Sequence, residues 1–278
     1  MSDDSGARAT HRHDEPTTSG PDDAVTLRAH AKLTRTLRIT GVRDDGYHLI
    51  DAEMVSLDLH DVVTIDPTGS GLGAVGPFAE GVPLDDTNLV ARALDLVGRS
   101  ANVVVDKRIP HGGGLGGGST DAATVLRWAG FATTDDDLTI ASRLGADIPF
   151  CLVGGHARVL GIGETVEPLP HLDLVVTLVV PPLAVSTPAA YRAWDRLGGP
   201  AADGPNDLEP AALVVEPALR WWRDAIGDRT GRPPTLAGSG ATWFTEGAHS
   251  DALADLVDEG ATVVVARTVP VEVATHPG

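Results

Sequence analysis

The chain has 278 residues, 42% of them hydrophobic and 22% charged, which suits a globular protein of one large or two ordinary domains. The net charge of −18 argues against nucleic acid or an anionic membrane surface as partner, and no run of 18 apolar residues exists to build a membrane span. The single cysteine, Cys151, permits no internal disulfide and fits a reducing, cytoplasmic compartment; its apolar neighbours make it a buried small residue rather than a nucleophile.

Residues 1–24 mix Asp, His, Ser, Thr and Pro without an apolar stretch, so they read as a disordered tail and not as a secretory signal. His11-Arg12-His13 within it is read as solvated rather than metal-binding. Val25 to Leu33 and Leu37 to Ile39 alternate like strands, followed by a turn at Arg43-Asp44-Asp45-Gly46. Lys32 falls inside the first apolar pattern, where an ammonium needs an anionic partner or a route to solvent. Tyr47-His48 follows the turn, an aromatic-histidine pair in a chain with only 2 Tyr. Val55 to Leu59 and Val62 to Ile65 read as two further strands, and Thr87 to Val97 as an amphipathic helix stopped by Gly98.

The chain is organised around Pro110-His111-Gly112-Gly113-Gly114-Leu115-Gly116-Gly117-Gly118-Ser119-Thr120. Asn102 to Asp106 before it reads as a β-branched strand, and Ala122, Ala123, Val125, Leu126 and Ala129 after it recur at helical spacing. A glycine loop between a strand and a helix start presents free backbone N–H groups and the positive end of the helix dipole, which suit a phosphate. Ser119-Thr120-Asp121 read as capping residues, which a mere hinge would not need. No Gly-Lys-Ser/Thr ending follows, so the loop is not a Walker A loop. Gly112, Gly114 and Gly117 satisfy G-x-G-x-x-G, but Asp135-Asp136-Asp137 opens a helix instead of closing a second strand, which weakens a dinucleotide reading. The global charge does not forbid an anionic nucleotide, because distant carboxylates are screened within about 8 Å at physiological salt.

A helix from about Asp135 to Leu144 ends at Gly145, and Asp147 stands two residues before Pro149. Asp147 reads either as a helix N-cap or as a general base within reach of the phosphate loop. A domain boundary is expected between Pro168 and Pro170, giving domains at 25–169 and 170–278. The second begins with a buried-type strand to Val180, then a helix through Thr187, Tyr191 and Trp194, Asn206-Asp207-Leu208-Glu209, and a helix around Trp221-Trp222. Gly238-Ser239-Gly240 reads equally as a hairpin turn or as a second backbone surface facing the ligand. A final helix and the strand Thr262 to Ala266 complete the chain.

Together these segments resemble the GHMP small-molecule kinases, in particular the members that phosphorylate the cytidine diphosphate of methylerythritol in the non-mevalonate isoprenoid pathway. The match is carried by Ala31-Lys32-Leu33, Ile39-Thr40-Gly41, Arg43-x-Asp45-Gly46-Tyr47-His48, Ile109 to Thr120, and Gly145 to Phe150. Thr187-Pro188, Asn206 to Glu209 and Gly238 to Ala241 extend it into the second half. The resemblance implies an α/β (α+β), two-lobed fold. Its N-terminal lobe would be like domain 2 of ribosomal protein S5, and its C-terminal lobe a ferredoxin-like α/β plait. It implies Asp147 as general base, Lys32 holding Asp147 and polarising the acceptor hydroxyl, and residues 110–120 on ATP. It further implies Tyr47, His48, Thr187, Tyr191, Gly238 and Ser239 on the substrate, Mg²⁺ accompanying ATP with Ser119 as a possible ligand, and a monomer or homodimer. Thr34, another substrate-side residue, replaces the family's usual Asn; His30 replaces Pro, and His111 an apolar residue. The rival readings are another GHMP kinase, acting on homoserine or a sugar, and a non-catalytic nucleotide-binding protein. A dehydrogenase stands third.

Overall fold

The computed structural model describes residues 24–271; the tail reading and His11-Arg12-His13 lie outside them. Two sheets are built from one chain in sequence order. The first contains β1 (Val25–Val42), β2 (His48–Asp66), β3 (Gly71–Val75), β4 (Asn102–Asp106), β5 (His156–Gly161) and β6 (Thr165–Pro168). The second has the order β10-β7-β9-β8, from β7 (Val175–Val180), β8 (Thr235–Leu236), β9 (Trp243–Glu246) and β10 (Thr262–Arg267). Helices α1 (Leu89–Leu96), α2 (Gly117–Trp128), α3 (Asp135–Ser142) and α4 (Ile148–Val153) belong to the first half. Helices α5 (Thr187–Arg196), α6 (Glu209–Val215) and α7 (Leu219–Thr230) belong to the second.

The four short strands read at the start of the chain are two long ones. β1 pairs antiparallel with β2 along its whole length, with register shifts between His30 and Lys32, Thr34 and Thr36, and Ile39 and Gly41. Bulges of this kind bend a long strand without ending it, so the breaks in alternation at these places are kinks and not loops. On its other edge β2 pairs with β5 through Ile50 to Val55 and with β4 through Val62 to Asp66. The first bulge matters most. Ala29 packs among the helices α1, α2 and α4, whereas Ala31 and Leu33 pack against the second sheet.

Three apolar layers follow. Ala29, Val63, Ile65 and Val103 meet Val90, Ala122, Val125 and Leu126 beneath the first sheet. Ala31, Leu33, Val55 and Leu57 meet Val176, Leu178, Phe244 and Ala266 between the sheets, with Leu115 of the glycine loop fully inserted. Val179, Leu236 and Trp243 meet α5, α6 and α7 on the far side. Removing this apolar surface from water, at about 25 cal/mol per Å², is the main favourable contribution to the fold. The helix expected before β10 is instead one 3₁₀ turn, Ala254–Val257, whose run Asp255-Leu256-Val257 buries only Leu256. α1 starts two residues later than read, because the Asn88 side chain accepts a hydrogen bond from Val90 N and caps the helix there.

Candidate functional site

The glycine loop leaves β4 through buried Ile109 and Pro110 and enters α2 at Gly117. Gly112, Gly114 and Gly116 take φ of 76°, 74° and 74°, a conformation that L side chains rarely adopt. Gly114 and Gly116 are also constrained from outside: a Cβ on Gly114 would lie 2.9 Å from Gly240 O, and one on Gly116 would lie 2.6 Å from Lys32 Cγ. Both sheets pin the loop, through Lys32 N donating to Leu115 O (3.0 Å) and Thr242 N donating to Gly113 O (3.4 Å). The capping reading of Ser119-Thr120-Asp121 is corrected. Gly116 is the N-cap, no side chain caps the helix, and those three residues lie inside α2. The first-turn amides of α2 therefore have no side-chain acceptor and remain available to an anion.

Two cavities meet at Gly114. One, of about 310 Å³, is lined by Pro110, His111, Gly112, Leu115, Gly116, Gly117 and Gly118, with Asn88 and Lys107 opposite. Gly113, Ser119 and Thr120, expected on the nucleotide, line neither this cavity nor the larger one. A Cβ on Gly113 would be 2.5 Å from Thr242 Oγ1, so this glycine serves loop packing against the second sheet, and Thr120 is buried.

The larger cavity, of about 660 Å³, gathers Lys32, Thr34, Tyr47, His48, Asp147, Thr187, Tyr191, Gly238 and Ser239, all the residues expected on the acceptor side. Lys32 Nζ lies 3.2 Å from Asp147 Oδ2 and donates to Thr34 Oγ1 at 3.2 Å. The N-cap alternative for Asp147 is resolved in position but not in role: it occupies the N-cap of α4, yet its carboxylate makes no capping bond. At the other end of the cavity, His48 stacks on Tyr191 with ring centroids 4.7 Å apart, and Trp194 meets it edge-on at 5.5 Å. His48 Nε2 is 2.8 Å from Asp195 Oδ1; a carboxylate only accepts, so Nε2 carries the proton. Tyr47 is 61% exposed and lies at the rim. Burial, with the charge of Asp147 adding, pushes the Tyr191 hydroxyl up to about 12, so it stays a donor at neutral pH.

The second glycine turn is a backbone surface of the cavity as well as a hairpin. Buried Asn206 donates to Leu236 O (2.8 Å) and Gly238 O (2.7 Å), and Ser239 Oγ lies 2.7 Å from Thr187 Oγ1. Asp207, beside Asn206, accepts from Ile39 N and from Arg38, tying the same segment to β1. His30 and His111 stand apart from the acceptor residues: His30 Nδ1 bonds Leu57 O at 2.7 Å, and His111 lines the smaller cavity.

Sequence reasoning missed a buried charge cluster beneath the loop. Lys107 Nζ donates to Asp121 Oδ2 at 2.6 Å and also to Asp61, whose other oxygen accepts from Ile109 N at 2.7 Å. Burial acts to lower the pKa of Lys107, but the charges of Asp121 and Asp61 outweigh it and hold the ammonium above its usual range. Burial raises the Asp121 carboxyl to about 7 against the pull of Lys107. The cluster ties β2, the end of β4 and α2 together where the loop begins. The signal was present: Asp61 shares the parity of Leu57, Leu59, Val63 and Ile65, an inward position of the kind noted for Lys32.

Residues 88–155 match the family model for the GHMP kinase N-terminal domain. A 4-diphosphocytidyl-2-C-methyl-D-erythritol kinase of Paracoccus denitrificans is 40% identical over 235 residues, covering 78% of this chain and 84% of that protein. The chain belongs to the GHMP kinases, in the branch of the 4-diphosphocytidyl-2-C-methyl-D-erythritol kinases. The enzyme of the same name from Granulibacter bethesdensis is 36% identical over 261 residues, with 82% and 86% covered. A crystal structure of 4-(cytidine 5'-diphospho)-2C-methyl-D-erythritol kinase superposes with a TM-score of 0.70 at 30% identity, over 88% of this chain and 99% of that one. The homoserine kinase of Cytophaga hutchinsonii shares the GHMP fold, with a TM-score of 0.62 at 17% identity over 92% of this chain and 98% of the other.

Proposed function

We propose that this protein transfers the γ-phosphoryl group of ATP to the 2-hydroxyl of 4-diphosphocytidyl-2-C-methyl-D-erythritol. The observation that carries the reading is the Lys32–Asp147 pair, 3.2 Å apart, in the acceptor cavity that abuts the glycine-loop cavity at Gly114. ATP occupies the smaller cavity, with its phosphates at the uncapped start of α2. The acceptor occupies the larger, its pyrimidine against Tyr191 and His48 and its hydroxyl at Asp147. Phosphoryl transfer asks the protein mainly to align two substrates and stabilise spread negative charge. Asp147 takes the hydroxyl proton as the O–P bond forms. Lys32 fixes that carboxylate and polarises the hydroxyl, and the amides of Gly117 and Gly118 stabilise charge on the phosphoryl oxygens. ADP leaves with the electrons of the broken bond.

Among the described residues no group of three or more His, Cys, Asp or Glu could hold a metal. Mg²⁺ accompanying ATP would take most of its ligands from phosphates and water and one or two from protein. Thr87, Asn88 and Asp121 are the side-chain oxygen donors that line the ATP cavity and would reach such an ion; Ser119 lies outside both cavities. Mg²⁺ would neutralise charge on the transferring group. The use of ATP and the unpaired thiol, buried and pushed up to about 12 by that burial, favour a cytoplasmic enzyme.

A kinase for homoserine or a sugar would have no use for the aromatic-lined far end of the cavity. A non-catalytic nucleotide binder would have no use for a lysine fixed on Asp147. The test is ATP consumption by purified protein with Mg²⁺ across the cytidine diphosphate alcohol, methylerythritol phosphate, homoserine, mevalonate and galactose. Turnover confined to the first is expected. Turnover on another alcohol discards the substrate, and ATP binding with no turnover on any discards the kinase.

A further inference from the structure

The acceptor cavity carries two positive charges that no side chain among the described residues pairs with. Its lining includes Lys32, Arg143 and Arg192 as cations and Asp147 and Asp195 as carboxylates. Asp147 is engaged by Lys32 and Asp195 by His48. Neither guanidinium, of Arg143 or of Arg192, makes a hydrogen bond or ion pair among the described residues, whereas Arg38, Arg158 and Arg229 each hold a carboxylate. In a chain with 39 acidic residues against 21 Lys and Arg, two uncompensated guanidiniums on one cavity wall form a local positive site that attracts an anion.

Their positions say which anion. Arg143 caps the C-terminal end of α3, four residues before Asp147, so it stands beside the reacting end of the cavity. Arg192 follows Tyr191 on α5, beside the end where His48 and Tyr191 stack. A ligand that places a pyrimidine at one end and its reacting alcohol at the other must carry its linker between these two elements. A diphosphate linker presents oxygens on both sides, and the planar guanidinium fork matches such oxygens two at a time.

We propose that Arg143 and Arg192 form the subsite that grips the diphosphate of the acceptor, one arginine from each side. The proposal rests on the acceptor reading given above. It makes the diphosphate, and not only the base, a determinant of acceptor choice.

The experiment uses the full chain and the variants Arg143→Gln, Arg192→Gln and the double variant. Calorimetry gives Kd for cytidine diphosphate and for cytidine, and steady-state kinetics give KM for the cytidine diphosphate alcohol and for ATP. The wild type should bind cytidine diphosphate more tightly than cytidine. Each single variant should raise KM for the acceptor about tenfold, as loss of one charged hydrogen-bonding partner implies, while KM for ATP holds. The double variant should bind the two probes equally, with its cytidine affinity kept. A double variant that retains the preference for cytidine diphosphate overturns the subsite, as does one that loses cytidine and cytidine diphosphate alike. Failure of the acceptor reading looks different: the wild type itself would neither turn over the cytidine diphosphate alcohol nor bind cytidine, and the proposal would fall with it.

Discussion

At the scale of single residues, the chemistry depends on how a few side chains are held. Asp147 begins a helix whose second residue is Pro149, and its carboxylate is turned to Lys32 rather than to the helix amides. Asp147→Asn keeps the shape and removes the proton acceptor, so ATP affinity should persist while turnover falls about 10²–10⁴-fold, the usual range for loss of a general base. Turnover within a few-fold of wild type, measured under saturating substrates, would remove Asp147 from that role. His48 is oriented by a residue that the sequence did not single out. Asp195 is half-exposed, but its bond to His48 Nε2 places a proton on that nitrogen and fixes the orientation of the ring. Asp195→Ala should therefore raise KM for the acceptor several-fold, about 1 kcal/mol for one lost hydrogen bond, and leave KM for ATP alone. Equal changes in both constants would point to a general loosening of α5 instead.

At the scale of elements, the glycine loop is positioned by contacts from both sheets and by the buried cluster below it. Gly116→Ala would impose a strained φ and push Cβ to 2.6 Å from Lys32 Cγ, so it should cost about 1–3 kcal/mol and displace the lysine from Asp147. Thermal unfolding and kcat together check this: a stable variant with full activity would show that the loop and Lys32 are not coupled. Asp121 gives a pH-dependent prediction. Its carboxyl ionises near 7 in the folded chain against 3.8 ordinarily, because burial disfavours the charged form. The folded state thus binds the proton more tightly than the unfolded state. The stabilisation is complete below about pH 3.8 and is lost as pH rises through about 7. Asp121→Asn keeps an acceptor for Lys107 and removes the titration. Relative to this variant, the wild-type Tm should drop by about 10 °C between pH 4 and pH 7.5, taking about 1.4 kcal/mol per unit of pKa change and about 2–4 °C per kcal/mol. A constant difference across that range would show that Asp121 does not take up a proton on folding.

At the scale of the whole molecule, the site is made by apposing two sheets, and this sets the limit of what the sequence disclosed. Lys32, Asp147 and the glycine loop were legible because each is an anomaly against a regular local pattern, whereas Tyr191 was placed beside His48 on the substrate only by the family resemblance. The change of pattern near Pro170 falls between the last strand of the first sheet, β6, and the first strand of the second, β7. The continuity of β1 and β2 was not legible, since bulges at His30–Lys32 and Thr34–Thr36 reset the alternation that marks a strand. Lys107 was passed over because its partners come from positions 46 residues before it and 14 after it, a proximity only β2–β4 pairing creates. The layer between the sheets, with Leu115 inserted and Arg35 bridging Glu53 on β2 to Glu246 on β9, is shared by both halves. Neither sheet can expose that layer without the other losing its cover, so the halves should unfold as one cooperative unit. Trp128 reports on the first half, and Trp194, Trp221, Trp222 and Trp243 on the second. A urea titration followed by far-ultraviolet circular dichroism, by total tryptophan fluorescence, and by the fluorescence of a variant keeping only Trp128 should give coincident midpoints. Saturating ATP and acceptor, if bound across both sheets as proposed, should move all three midpoints upward together, through about 2.7 kcal/mol of added stability for each ligand at one hundred times its Kd. Separate transitions, or a ligand shift confined to one probe, would mean that the sheets fold independently and that the site closes only after they meet.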